Sequence, residues 1–81
     1  MVKIVFLNLL RSKYRIEEEY VKPGTIKDII DQIIQKHPKI KLDDFKFSVF
    51  FYKGDVYHYS SQNKVIDEDQ VLKITHFVGG G

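Results

Sequence analysis

The residues best suited to chemistry are the last three. Gly79, Gly80 and Gly81 follow Val78, directly behind the alternating apolar run Val71-Leu72-Lys73-Ile74-Thr75-His76-Phe77. Glycine has no Cβ, loses the most freedom on ordering, and lets a backbone pass through channels too narrow for any side chain. Two readings fit such a tail: a terminus delivered into another protein's active site, where the α-carboxylate is the reacting group, or a flexible linker or added scar. Little else in the chain suggests catalysis. There is no cysteine, hence no thiolate nucleophile, disulfide framework or thiolate zinc site. His37, His58 and His76 lack metal-ligand spacing, Asp67-Glu68-Asp69 lacks that of a calcium loop and reads as a solvated turn, and Tyr52, Tyr57, Tyr59 and His58 are the residues that would stack on nucleobases.

Eighty-one residues predict one domain, with a body over 1–78 and a mobile glycine tail over 79–81. Hydrophobic residues make up 43% of the chain and charged residues 30%, which is too apolar for a disordered chain. A single early lysine followed by an apolar stretch without a small-residue cleavage site reads as a strand of a cytoplasmic protein rather than a signal peptide, and no run is long enough to span a bilayer. The net charge of +2 hides an asymmetry: nine basic residues stand against five acidic through Lys41, and four against six from Leu42 onward. A mildly acidic tail half predicts a basic partner site, and the modest charge argues against nucleic acid.

Residues 2–10 read as a first strand, Arg11-Ser12-Lys13 as a hairpin turn, and 14–21 as a second strand with Tyr14, Ile16, Glu18 and Tyr20 in phase on its inward face. After Pro23-Gly24, Thr25 is the predicted N-cap of a helix, with Asp28 three residues on. Ile26, Ile29, Ile30, Ile33 and Ile34 form its single apolar stripe, and His37-Pro38 ends it. Residues 45–52 read as a third strand, with Phe45, Phe47, Val49 and Phe51 on one face and Phe50 and Tyr52 on the other. Lys53-Gly54-Asp55 turns into a short strand 56–59, residues 60–64 are loop, and 71–77 form the fifth strand, with Leu72 and Ile74 inward.

This β-β-α-β-β-β order, with Pro23-Gly24-Thr25-Ile26 at the helix entry, Tyr52-Lys53-Gly54-Asp55-Val56 at the hairpin, Asp67-Glu68-Asp69-Gln70-Val71 before the last strand and Val78-Gly79-Gly80-Gly81 at the end, resembles the β-grasp, ubiquitin-like family. The last two segments look like its sulfur-carrier branch, the small subunit of molybdopterin synthase and the thiamine-biosynthesis sulfur carrier. The resemblance implies an α+β fold: a mixed five-stranded sheet with one covering helix. It also implies a protein co-substrate rather than an enzyme with turnover of its own. A ubiquitin-activating-type enzyme would adenylate the terminal carboxylate with ATP, a sulfur donor would convert it to a thiocarboxylate, and a synthase or large subunit would accept the sulfur for a cofactor or tRNA. The carrier itself would bind no cofactor or metal.

Gly80 and Gly81 are then the reacting terminus. Lys73, Thr75 and Phe77 on the outward side of the last strand, with Val78 and Gly79, are the candidate partner-binding residues, Phe77 as aromatic anchor or as a strand-end residue closing the core. Three glycines stand where the family has two, so the reactive end is Gly81 itself or Gly80 after trimming. A ubiquitin-like modifier joined to target lysines through the same tail, and a β-grasp interaction module with incidental glycines, are the alternatives.

Overall fold

The computed structural model describes residues 1–68 and 70–76, of which 8–10 and 76 enter through their backbone alone. The elements run β1 (Val2–Leu7), α1 (Asn8–Tyr14), β2 (Glu18–Val21), β3 (Gly24–Thr25), α2 (Ile26–Lys36), α3 (Leu42–Lys46), β4 (Ser48–Tyr52), β5 (Asp55–His58), β6 (Val65–Ile66) and β7 (Leu72–His76).

Helix α2 forms because its sequence settles both its entry and its face. Thr25 Oγ1 accepts from the Asp28 amide at 3.2 Å, and Asp28 Oδ2 accepts from the Thr25 amide at 3.1 Å. The next two donors of the first turn go to the later loop, Ile26 N–H to the Lys64 carbonyl at 2.9 Å and Lys27 N–H to the Gln62 carbonyl at 3.2 Å. Amides that a helix start leaves without intrahelical partners are thereby satisfied. Ile26, Ile29, Ile30 and Ile33 are buried and Ile34 packs at the margin of the core.

The helix lies on a five-stranded mixed sheet of order β2-β1-β7-β4-β5, in which β1 and β7 run parallel and the other pairs antiparallel. This is the ubiquitin-like β-grasp arrangement. Val2, Ile4 and Phe6 of β1, Leu72 and Ile74 of β7, and Phe50 and Tyr52 of β4 point at α2 and are buried. A second, two-stranded ribbon pairs β3 with β6 and brings buried Ile66 under the start of the helix.

Several sequence expectations are corrected. The first strand stops at Leu7, and residues 8–14, expected as strand and hairpin turn, are helix α1. The segment Asn8-Leu9-Leu10-Arg11-Ser12-Lys13-Tyr14 contains no β-branched residue and is rich in helix formers. The second strand begins only at Glu18, and its inward residues are Val21 and half-buried Glu19, while Glu18 and Tyr20 face out. Glu19 is tolerated inside because His37 Nε2 lies 3.0 Å from one of its oxygens and Lys36 Nζ 3.3 Å from the other. The third strand begins at Ser48. Phe45 belongs to α3 and is buried, whereas Phe47 is 64% exposed just after that helix.

Asp44 knots the short elements together. It accepts from the Tyr14 hydroxyl and from the Lys41 amide at 3.2 Å, and Lys13 Nζ stands 3.5 Å away. Burial pushes the Asp44 carboxyl up, but the Tyr14 and Lys41 hydrogen bonds and the Lys13 charge outweigh it and hold it below its ordinary value. Glu19 follows the same pattern, with burial opposed by His37 and Lys36. Because both carboxyls hold their protons less tightly when folded, the unfolded chain protonates first on acidification. The stability they contribute is complete above the unfolded carboxylate range, about pH 4, and is lost as pH falls through the depressed folded values. The Glu19→Gln/Asp44→Asn variant is expected to show a flatter dependence of unfolding free energy on pH below about pH 4 than the wild type, measured by urea denaturation across that range. Thr25→Ala is expected to cost about 1 kcal/mol in the same assay at neutral pH.

Candidate functional site

The central strand β7 carries the site. Its side chains alternate, so buried Leu72 and Ile74 leave Lys73 exposed and Thr75 half-buried on the face away from α2. Register sets their neighbours: Lys73 stands between Val5 of β1 and Phe51 of β4, and Thr75 between Leu7 and Val49. Val5 is in turn opposite Glu18, and Phe51 opposite Val56. The outer face therefore carries a row Glu18, Val5, Lys73, Phe51, Val56 and a second row Leu7, Thr75, Val49, His58.

That face is apolar for a surface. Phe51 is 38% exposed and Val56 52%, and Val71 adds to them just before β7. Leu7, Phe51, Val71 and Lys73 line a shallow groove of about 610 Å³ that reaches the Lys53-Gly54 turn. Lys73 and the Asp67-paired Lys53 border it, and no acidic residue is among its described lining residues although the second half of the chain is acidic overall. The charge sum over half a chain averages faces that the fold separates. A smaller recess of about 270 Å³, lined by Phe47, Val49 and His58 among others, lies beside the end of β7, where His76 is opposite Ser48.

The turn between β4 and β5 is built to hold its position. Lys53 has φ 52° and Gly54 φ 80°, so both central residues of this two-residue hairpin are left-handed, the geometry that matches the twist of the flanking strands. Lys53 occupies a place that favours Asn or Gly, and its ammonium lies 5.5 Å from the Tyr52 ring centre and 3.7 Å from Asp67. Tyr52 donates to Asp67 Oδ1 and accepts from the Asp67 amide at 3.0 Å. Burial first, then the hydrogen bond to the Asp67 carboxylate, pushes the Tyr52 phenol above its ordinary value. Asp67, expected in a merely solvated turn, thus ties the approach to β7 onto the hairpin.

Of the candidates read from the sequence, Lys73 and Thr75 lie together on the outer face. Phe77, Val78, Gly79, Gly80 and Gly81 lie outside the described residues, as does Asp69. Sequence reasoning missed Val56 and Val71, and it grouped Phe51 with Phe45 and Phe47. The usable signal was the parity of the fifth strand: once Leu72 and Ile74 are inward, its outward neighbours follow from pairing. No protein-family model and no curated protein matches the chain.

Adjacent positions on β4 give a direct check on the two faces. Phe50 is fully buried against α2, and Phe50→Ala is expected to cost about 3–5 kcal/mol. Phe51→Ala is expected to cost well under half of that, because its ring already meets water. Guanidinium denaturation of both variants measures the difference, and equal losses would place Phe51 in the core and remove it from the exposed outer face.

Proposed function

We propose that this chain is a sulfur carrier whose terminal glycine carboxylate is activated and then loaded with sulfur by a partner enzyme. The observation that carries the reading is the position of β7. It is a central strand of a β-grasp sheet, held on both sides by β1 and β4, and the sequence beyond it runs within five residues to Gly79, Gly80 and Gly81. A rigid body next to a tail free of side chains suits a division of labour in which the body supplies binding energy and the tail supplies the reacting atom.

The chemistry asked of the chain is modest. Its carboxylate oxygen attacks the α-phosphate of ATP on the activating enzyme, pyrophosphate leaves, and an acyl adenylate results. A hydrosulfide-equivalent donor then attacks the carbonyl carbon and expels AMP, leaving a thiocarboxylate. Beyond that terminal carboxylate the chain is asked for no base or nucleophile in either step, and the sulfur passes on to a synthase or large subunit that docks the same body. Leu7, Phe51, Val71 and Val56 around Lys73 are the apolar surface that would bind these partners, with Thr75, Phe77, Val78 and Gly79 leading into the catalytic channel. Aromatic and aliphatic anchors of this kind dominate interface energetics.

Incubation with an activating enzyme of the ubiquitin-activating type, ATP and sulfide, followed by intact-mass analysis, is expected to show the mass change of one oxygen exchanged for one sulfur. Deleting Gly80 and Gly81 together is expected to abolish ATP–pyrophosphate exchange with no change in the unfolding transition, and Gly80→Val to do nearly the same, since a β-branched residue blocks a narrow channel. Deleting Gly81 alone identifies the reacting end. Persistent exchange in the double deletion would refute the carrier reading in favour of an interaction module, whereas tail-dependent conjugates on target lysines would identify a protein modifier.

A further inference from the structure

A second site lies away from the tail, where α1 and α2 end side by side. A cleft of about 400 Å³ opens there, within the range of small-ligand and peptide-anchor pockets. Its floor is apolar, built from Tyr14, Ile16 and Ile40, and its walls carry Lys13, Arg15, Lys36, His37 and Lys39. Among the described residues no acidic side chain lines it. The walls come from the last turns of α1 and α2 and from the connections that follow them, to β2 and to α3.

Part of this charge is already answered. Lys13 is paired with Asp44, and Lys36 and His37 meet Glu19. Arg15 and Lys39 are exposed and pair with no carboxylate among the described residues. Arg15 also sits in the left-handed region, φ 56° and ψ 37°, at the C-cap of α1. That position favours glycine or asparagine, and a residue with a Cβ costs roughly 1–2 kcal/mol there. A strained backbone that aims a long cation at one wall of a cleft is the kind of outlier from which a binding role is inferred.

We propose that this cleft binds an acidic peptide segment of a partner protein, with an apolar side chain on the Tyr14–Ile16–Ile40 floor and flanking carboxylates on Arg15 and Lys39. The choice of carboxylate over phosphate follows from the helices. Both α1 and α2 present their C-terminal ends here, and the carbonyls of a helix C-terminus carry a partial negative charge that opposes a concentrated dianion and supplies no backbone N–H donors. Singly charged carboxylates spaced along an extended chain meet the two separated cations without crowding those carbonyls. The proposal is independent of the function assigned to the glycine tail.

The probe is a fluorescein-labelled peptide carrying a Leu-Phe pair between two Glu-Glu pairs, titrated with the full chain by fluorescence anisotropy and mapped by amide chemical shifts. Saturable binding that perturbs residues 13–16 and 36–40 is expected. Arg15→Gln/Lys39→Gln is expected to weaken it at least about tenfold, while Lys22→Gln/Lys64→Gln, which removes the same charge elsewhere, leaves it unchanged. Unaltered unfolding transitions establish that both variants are folded. Absence of binding, an equal loss in the two double variants, or shifts confined to the outer sheet face would overturn the proposal. So would a result in which pyrophosphate or an oligonucleotide, but not the peptide, perturbs the cleft.

Discussion

The burial of one isoleucine stripe is the interaction on which the rest depends. Ile26, Ile29, Ile30 and Ile33 of α2 meet the inward row of a sheet that, among the described residues, has no other helix of comparable length to cover it. Full burial of a side chain of this size is worth about 1.5–3 kcal/mol, and a chain of this length hides only about 60% of its unfolded surface, so few contacts are spare. Everything around the stripe serves to close it. Ile66 in the β3–β6 ribbon seals the start of the helix, and Ile40 and Phe45 seal its far end. Polar groups that fall near the core are matched individually: Glu19 with His37 and Lys36, Asp44 with Tyr14 and Lys41, and Tyr52 with Asp67.

The same economy explains where the surface remains apolar. With α2 occupying one face, no second helix of comparable length among the described residues covers the outward rows of β1, β7, β4 and β5, and Val5, Phe51 and Val56 stay at least partly in contact with water. A small domain could mask such a face with charge, yet Lys73 and the Lys3–Glu18 pair, 3.4 Å apart, are what the strands β1, β2 and β7 contribute. Exposed apolar area bordered by charge is the usual composition of a docking surface.

How much of this was legible in the sequence varied with the physical basis of each element. Helix α2 was fully readable, because its cap, its stripe and its stop are local and agree with one another. The inward placement of Leu72 and Ile74 was readable from alternation. The short helices α1 and α3 were not, since Leu9-Leu10 and Phe45-Phe47 prolong strand-like apolar runs and only the lack of β-branched residues marks the change. One wrong boundary then shifted the phase of the whole second strand, as a one-residue slip always does. The two-residue strands of the β3–β6 ribbon are shorter than any period. The basic cleft was invisible for another reason: Arg15 and Lys39 lie more than twenty positions apart and become neighbours only when α2 folds back over the sheet.

The place of β7 between β1 and β4 also dictates the order in which the molecule can come into being. Before that strand is synthesised, the earlier strands of the five-stranded sheet can form only two separate antiparallel pairs, β1 with β2 and β4 with β5, which share no backbone hydrogen bond across the sheet. Each pair would leave open the edge that β7 later fills, and isolated two-stranded ribbons are marginal in water. β7 is thus the strand that joins the halves, and until it is in place the strands of the sheet made before it form an open, adhesive intermediate.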